Sequence, residues 1–263
     1  MKQLNFWRKK IDTGFARPNY ANNLYKQKDI KEVSVVIGAR RSGKSTILLQ
    51  TLKRIIDDGV PPANVLYINF EEPAFARDLS LKFLLQIYDA FREAFAPKGK
   101  TYIALDEISL VPEWEKFVRG LYDRGEDIKF YVTDSSSRLL SGEFGRVLTG
   151  RTYSNVVYPL NFAEFIHFKG MGKRSLKDEA HSPELRNLFL EFLRYGGFPQ
   201  VVLTKNEDDK IKILKEYYTA IIEKDIVQRY QVRNFGQLKE FCLLAMTNNG
   251  LPTSGYNIEK KQK

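Results

Sequence analysis

One short stretch limits the folds open to this chain more than any other feature. Residues 38–45 read GARRSGKS and fit the pattern G-x-x-x-x-G-K-[ST]. The β-branched run VSVVI precedes them at 33–37, and apolar residues recur at helical spacing over 45–58. The two glycines allow the backbone to curl so that successive N–H groups point at one anion. This succession of a strand, a glycine-containing loop and a helix predicts a phosphate-binding loop, or Walker A motif, in an α/β protein.

Each part of this loop has a task in binding a nucleoside triphosphate. The Lys44 ammonium reaches the β- and γ-phosphates, and the Ser45 hydroxyl is a ligand for magnesium. The helix that follows directs the positive end of its dipole at the phosphates. The predicted nucleotide-binding residues of the loop are Gly38, Ala39, Arg40, Arg41, Ser42, Gly43, Lys44, Ser45 and Thr46. The alternative is a glycine-rich turn that binds no ligand.

A second motif adds two carboxylates. The strand-like run 101–105 ends in Asp106 and Glu107. Beside a phosphate loop, Asp106 serves magnesium either directly or through water, and Glu107 polarises the attacking water as a general base. The alternative is a strand that ends in an ordinary acidic turn.

A third candidate motif consists of polar residues after a further strand-like run, 128–132. Thr133 and Ser135 are expected between the phosphate loop and the acidic strand, near the γ-phosphate or the water, where a hydroxyl can sense the nucleotide. The alternative is that these hydroxyls cap a helix that begins near Ser137.

The remaining pattern predicts the architecture. Strand-like runs at 65–70 and 152–158 join those above, and helical patterns separate them. Strands that alternate with helices favour a parallel sheet with helices on both faces. We predict a basic N-terminal arm (1–31), an α/β core (32–160), a helical region (161–234) and a final segment (235–263).

The order of several motifs resembles one family. GARRSGKST, LDE, VTDSSSRLLSGE, LTGR, YPLNFAEF, YGGFP and EKDI follow one another as in the prokaryotic, mostly archaeal AAA+ P-loop ATPases that carry a winged-helix segment and a C-terminal domain of unknown function. The resemblance spans roughly residues 17–258. It implies a five-stranded core that uses ATP and magnesium, a sensor near Thr133 to Ser135 and a positively charged residue at Arg151. The extra strand between the loop strand and the acidic strand fits this division, and the absence of an N-K-x-D motif favours ATP over GTP.

The chain departs from that family in two respects. Asp134 stands where the family usually has glycine. Family members also continue well beyond this length, so we expect a C-terminally truncated chain in which 235–263 forms a partial winged helix.

Arginines need separate consideration, because an arginine often completes hydrolysis in this class. Arg151 is the first candidate for that catalytic role and Arg146 the second, and Arg124, Arg138, Arg229 and Arg233 are further candidates. The alternative for each is a solvated surface residue. Within the loop, Arg40 or Arg41 reaches either the nucleotide or a neighbouring acidic group. Glu71 and Glu72, after the second strand, are candidates for a catalytic or metal-related role.

The charge and composition of the chain limit the classes of partner that it can have. The net charge is +10, and residues 1–31 hold eight Lys and Arg against two Asp, a net of +6. Such an arm attracts polyanions such as DNA, or it is a solvated lead-in helix.

One Cys and two His exclude a disulfide framework and argue against a zinc site. No apolar run of about 18 residues and no secretory leader is present, so we expect a cytoplasmic protein without a membrane partner.

Together these features predict a magnesium-dependent ATPase of AAA+ type whose hydrolysis drives movement between the core and the helical region. Two alternatives stay open. One is a nucleotide-gated switch that hydrolyses ATP slowly and signals through a partner, which a low rate that rises only on self-association would favour. The other is a DNA-associated protein regulated by ATP.

Overall fold

The computed structural model describes residues 5–7, 11–135, 150–171, 182–227 and 230–247. The chain divides into two compact units, Met1–Lys210 and Ile211–Lys263. The first unit contains the sheet and every predicted site residue that the structure describes.

Five strands form one parallel sheet in the first unit. Their order across the sheet is β2-β3-β4-β1-β5, and every neighbouring pair is parallel. The strands are β1 (Val33–Ile37), β2 (Val65–Asn69), β3 (Thr101–Asp106), β4 (Ile128–Asp134) and β5 (Thr152–Val156). The predicted α/β class and parallel sheet are confirmed, although β5 ends two residues before its predicted end.

Helices connect and flank these strands. Those of the described residues are α1 (Pro18–Lys26), α2 (Lys44–Asp57), α3 (Leu81–Phe95), α4 (Trp114–Asp123), α5 (Phe162–Phe168), α6 (Pro183–Tyr195), α7 (Pro199–Leu203), α8 (Glu207–Ala220) and α9 (Phe235–Thr247). Short 3-10 turns occupy Pro62–Asn64, Pro73–Phe75 and Ile108–Leu110, and a π-helix occupies Ile221–Val227.

The sheet is covered on both faces. All five residues of β1 are buried. Val35 belongs to the core packed by α3 and α4, and its neighbour Val36 belongs to the core packed by α1 and α2. Successive strand residues point to opposite faces, so only a continuous apolar run can bury both. The two cores fix the positions of the central strands and therefore the positions of their carboxyl ends.

The strand order decides which loops meet. In a parallel sheet all carboxyl ends lie at one edge. β4 lies between β1 and β3, with Ile37 paired to Asp134 and Leu105 paired to Val132. The phosphate loop after β1, the acidic pair at the end of β3 and the polar end of β4 therefore converge.

The helices after β5 begin with a strong local signal. Asn161 is the N-cap of α5, and its side chain and that of Glu164 form a reciprocal capping box. Phe165, Phe168 and Val202 share a small core that also receives residues of α6. The aromatic residues of this region thus serve packing.

The second unit contains the last residues of α8, the π-helix and α9. Residues 248–263, in which the predicted winged-helix segment continues, lie outside the described residues, so that assignment stays a prediction. None of the helices in the described ranges combines the length and the apolar character that a membrane span requires.

Candidate nucleotide-binding site

The phosphate loop curls tightly at the end of β1. Arg41 and Gly43 have positive φ angles of 67° and 97°, and α2 begins directly after Gly43. Gly38 is required for a steric reason, since a Cβ there would lie 2.1 Å from the Val157 carbonyl oxygen. The predicted loop residues through Ser45 and Thr46 thus run from β1 into the first turn of α2.

Lys44 and Ser42 place polar groups inside this loop. Lys44 is 4% exposed, and its Nζ donates hydrogen bonds to the carbonyl oxygens of Gly38 (3.1 Å) and Ala39 (3.4 Å). The Ser42 hydroxyl is buried and has no hydrogen-bond partner among the described residues. A buried hydroxyl without a partner is uncommon, and it fits a loop that receives a polar ligand.

Asp106 lies at the centre of the acidic pair and is fully buried. One carboxylate oxygen accepts a hydrogen bond from the Thr133 hydroxyl (2.5 Å), and the other accepts one from the Tyr67 hydroxyl (2.6 Å). Burial raises the pKa of Tyr67, and the Asp106 carboxylate raises it further. Sequence reasoning missed Tyr67, because a tyrosine within an apolar strand is typical of a core.

Glu107 lies directly beside the lysine of the loop. Its Oε1 is 3.4 Å from the Lys44 Nζ, and its Oε2 accepts hydrogen bonds from the Ser135 backbone N–H (3.1 Å) and hydroxyl (2.9 Å). Burial raises the pKa of Glu107, while Lys44 and the Ser135 hydrogen bonds oppose that rise. A carboxylate with a raised pKa is a more effective base near neutral pH.

The polar end of β4 connects these groups. The Thr133 hydroxyl accepts a hydrogen bond from the Glu107 backbone N–H (2.9 Å) while it donates to Asp106. Asp134, the residue that departs from the family pattern, is buried and accepts a hydrogen bond from the Ser109 hydroxyl (3.0 Å). Thr133 and Ser135 therefore bind the acidic pair. The helix that they were alternatively expected to cap would begin near Ser137, and residues 136–149 lie outside the described residues.

The Arg40 side chain extends from the loop toward the segment that follows β2. Its guanidinium forms an ion pair with Glu71, whose carboxylate is partly exposed. Of the two predicted outcomes for the arginines of the loop, the contact with a neighbouring acidic group is the one present for Arg40. Glu71 thus lies at the loop rather than within the acidic pair.

Arg17 joins the site from the N-terminal arm, and sequence reasoning missed it. It is 1% exposed, and its guanidinium donates to the Ser42 carbonyl oxygen (2.8 Å) and twice to the Glu164 carboxylate (2.9 Å each). Glu164 also accepts a hydrogen bond from the Asn161 N–H (3.1 Å). One buried arginine therefore connects the phosphate loop to the start of α5.

Arg151 is not brought to this site. It directly precedes β5 and therefore lies at the amino-terminal end of that strand, away from the carboxyl ends where the phosphate loop lies. There its guanidinium pairs with Asp123 (2.8 Å) and stacks on the Tyr122 ring. β5 runs parallel to β1, so a five-residue strand of about 16 Å separates Arg151 from the level of the loop. The structure therefore does not bring Arg151 to the site of its own chain, and a catalytic role for Arg151 stays a prediction. Arg146 lies outside the described residues.

The residues present fit magnesium bound together with a nucleotide. The Ser45 hydroxyl and the Asp106 carboxylate supply oxygen ligands, the type that magnesium prefers. The described residues contain no group of three or more His, Cys, Asp and Glu side chains that could hold a metal. Nucleotide-bound magnesium needs no such group, because phosphates and waters complete its coordination.

Two curated proteins are similar to this chain in sequence. An uncharacterized protein of Methanocaldococcus jannaschii, MJ1544, is 35% identical over 208 residues, which are 79% of this chain and 45% of that protein. An uncharacterized protein of Haemophilus influenzae is 32% identical over 93% of this chain and 62% of its own length. The chain thus spans about half the length of these curated relatives.

Among solved structures, a Walker-type ATPase of Pyrococcus abyssi is similar with a TM-score of 0.49 and 14% identity, over 92% of this chain and 79% of that one. A domain of unknown function (DUF8612) matches residues 186–262. The AAA domain family matches residues 31–166, which include β1 to β5 and the whole phosphate loop. The chain belongs to the AAA domain family.

Proposed function

We propose that this chain binds ATP with magnesium and hydrolyses the terminal phosphate bond. The observation that carries the proposal is the 3.4 Å contact between Lys44 and Glu107 at the carboxyl edge of the sheet. A phosphate-binding cation and a buried carboxylate base meet there, at the mouth of a glycine-containing loop and a helix N-terminus. ATP is favoured over GTP because the sequence lacks an N-K-x-D motif.

Each residue has a distinct task in this reaction. Backbone N–H groups of 38–46 and the Lys44 ammonium bind the phosphates, and this requires Lys44 to leave the carbonyl groups that it contacts here. Ser45 and Asp106 would hold magnesium, which neutralises charge on the phosphates when it is bound. Glu107 accepts a proton from the water that attacks the γ-phosphorus, and the ADP oxygen leaves.

Coupling of hydrolysis to movement requires a route by which the loop affects other parts of the chain. The Arg17 guanidinium contacts both the Ser42 carbonyl in the loop and Glu164 at the start of α5. A change in the loop on nucleotide binding or release alters one end of this contact. We propose that ATP hydrolysis drives movement of the helices after residue 160 through Arg17.

Steady-state hydrolysis of Mg·ATP tests the proposed function. We expect Lys44→Ala to lose nucleotide binding, and Glu107→Gln to bind ATP without turnover. Lys53→Ala and Glu113→Gln are matched controls, because these exposed residues form surface ion pairs with Asp57 and Lys116, away from the site. A Glu107→Gln rate equal to that of the wild type would show that Glu107 is not the base.

A slow, nucleotide-gated switch is a second candidate, and one observation favours it. The Glu107 carboxylate is held by two hydrogen bonds from Ser135 and by Lys44, so it is not free to orient a water. In this proposal self-association or a partner releases Glu107. Ser135→Ala is then expected to raise the basal rate, and the wild-type rate per subunit should rise with protein concentration. A rate independent of concentration, together with an unchanged Ser135→Ala rate, would eliminate the switch.

The described part of the basic arm gives DNA binding little support, because most of its cations are already engaged. The Arg17 guanidinium is buried, Lys28 pairs with Asp58 and the Lys31 ammonium stacks on Tyr122, whereas Lys26 is exposed. A DNA-associated role predicts an affinity that falls steeply with salt. Titration of duplex DNA at low and moderate salt distinguishes this role from the others.

A further inference from the structure

The segment that precedes α1 lies along the first turns of α2. The Gln50 side chain of α2 donates hydrogen bonds to the carbonyl oxygens of Thr13 (2.9 Å) and Phe15 (2.8 Å). Its side-chain oxygen accepts a third hydrogen bond, from the Arg17 backbone N–H (3.0 Å). One amide of α2 therefore fixes every second residue of 13–17, so the helix that follows the phosphate loop sets the position of the Phe15 backbone.

The same segment packs on the end of the phosphate loop. A Cβ on Gly14 would lie 3.8 Å from the Thr46 methyl carbon, so the backbone next to Phe15 contacts the last of the predicted nucleotide-binding residues. Backbone N–H groups of such a loop bind the α- and β-phosphates, while its lysine reaches the β- and γ-phosphates. The segment is therefore adjacent to the groups that are expected to bind the phosphates.

The strand order indicates on which side of the loop the nucleoside lies. Glu107 follows β3, and its contact with Lys44 marks the side on which the γ-phosphate is expected. β5 lies on the other side of β1, and α5 follows β5. The 13–17 segment lies on this second side, because Arg17 pairs with Glu164 of α5 (2.9 Å). A triphosphate whose γ-phosphate points at Glu107 therefore directs its nucleoside toward the 13–17 segment.

The Phe15 side chain presents an aromatic ring at this place. The residue is 47% exposed, although its ring stacks on that of Phe168 with the centroids 5.0 Å apart and the planes 29° from parallel. Phe168 is buried in α5, so it supports the Phe15 ring from the interior. Bases commonly gain affinity by stacking on aromatic side chains, because every base has a π face. An exposed and supported ring beside the loop is suited to this task.

We infer that the base of the bound nucleotide stacks on the part of the Phe15 ring that Phe168 leaves exposed. This inference rests on the proposed function and extends it from the phosphates to the base. Stacking does not distinguish adenine from guanine, so Phe15 contributes affinity for either purine and the choice between ATP and GTP does not depend on it. The bound base consequently contacts a residue that is held by both α2 and α5.

Calorimetric titrations with two ligands separate binding of the base from binding of the phosphates. Mg·ATP and magnesium tripolyphosphate, which has no base, are titrated into the full chain as wild type, Phe15→Ala, Phe15→Tyr and Phe189→Ala. Phe189 is a matched control, because it is 44% exposed and its ring packs on Phe162, at the other end of α5. We expect Phe15→Ala to bind ATP about five- to a hundredfold more weakly and tripolyphosphate with unchanged affinity. Phe15→Tyr, which keeps the ring, and Phe189→Ala should match the wild type with both ligands.

A fluorescent base reports the stacking itself. The emission of 2-aminopurine falls when this base stacks on an aromatic ring. The triphosphate of 2-aminopurine riboside, added with magnesium, should therefore lose emission when it binds to the wild type. Bound to saturating Phe15→Ala, it should keep most of that emission, whereas a purely structural role of Phe15 would leave the quenching of the bound base unchanged.

The outcomes distinguish this inference from the proposed function. A wild type that does not bind Mg·ATP overturns the proposed function. If the wild type binds ATP, an unchanged ATP affinity of Phe15→Ala, an equal loss with both ligands, or unquenched 2-aminopurine on the wild type overturns the inference alone. If Phe15→Ala does not fold, as judged by circular dichroism, Phe15→Leu takes its place and keeps apolar bulk against Phe168. Loss of quenching in Phe15→Leu supports the inference, and quenching equal to that of the wild type contradicts it.

Discussion

Removal of the Arg17 guanidinium is expected to destabilise this protein far more than loss of an ordinary ion pair. Arg17→Ala leaves the Glu164 carboxylate, whose side chain is 14% exposed, without its bidentate partner. It also removes the donor to the Ser42 carbonyl oxygen. Both consequences arise in the interior, where water replaces the lost contacts poorly.

The size of the effect follows from the burial of both partners. Loss of one member of a buried ion pair costs about 3–5 kcal/mol, whereas an exposed pair contributes about 0–1 kcal/mol. With the Arg17 side chain 1% exposed, we place Arg17→Ala in the first range, at about 4 kcal/mol. The Lys53–Asp57 pair, whose side chains are 46% and 59% exposed, belongs to the second range and supplies the control Lys53→Ala.

Denaturant unfolding of the full chain measures both variants. A lower midpoint for Arg17→Ala with an unchanged denaturant slope reports a change in stability alone. A double-mutant cycle with Glu164→Gln then isolates the pair, and we expect Arg17→Ala to cost much less in the Glu164→Gln background. An Arg17→Ala cost below about 1 kcal/mol, the range of surface pairs, would refute the reasoning from burial. Equal costs in the two backgrounds would show that Glu164 is not the partner that matters.

Two further outcomes are expected. Burial lowers the pKa of Lys129 to about 8 from 10.5, so the unfolded chain holds the proton more tightly between these values. The free energy of unfolding should therefore rise with pH across that window, relative to a Lys129→Met variant, and parallel slopes in denaturant titrations would contradict this. Gly38→Ala places a Cβ 2.1 Å from the Val157 carbonyl oxygen, so the loop must shift, and nucleotide binding should be lost in fluorescence titrations. Gly120→Ala in α4 meets nothing within 4 Å and should bind nucleotide like the wild type.

Features that depend on neighbouring residues in sequence could be predicted. The run 33–37 is apolar at four of its five positions, with Ser34 as the exception, so it forms a strand buried on both faces, as observed for β1. The order of strands and helices likewise predicted the parallel α/β sheet. The convergence of the loop with Asp106 and Glu107 was expected because parallel strands end at one edge.

Features that depend on contacts between distant segments could not be predicted in this way. Tyr67 and Arg17 have no motif around them, and each obtains its role from partners 39 and 147 residues away in sequence. Arg151 is the opposite case. It belongs to a family motif, but that motif does not indicate at which end of the strands the residue lies. The register of β5 places it opposite the loop.

The amino-acid sequence by itself determined the phosphate loop, the acidic pair and the parallel sheet that brings them together. Local hydrophobic patterns and turn residues encode these elements, and short-range steric and hydrogen-bonding preferences produce them. Only the tertiary structure decided that the Tyr67 hydroxyl donates to Asp106, and that Arg17 leaves the basic arm for the interior. A buried polar group must find partners wherever the fold places them, and that placement is set by packing of the whole domain.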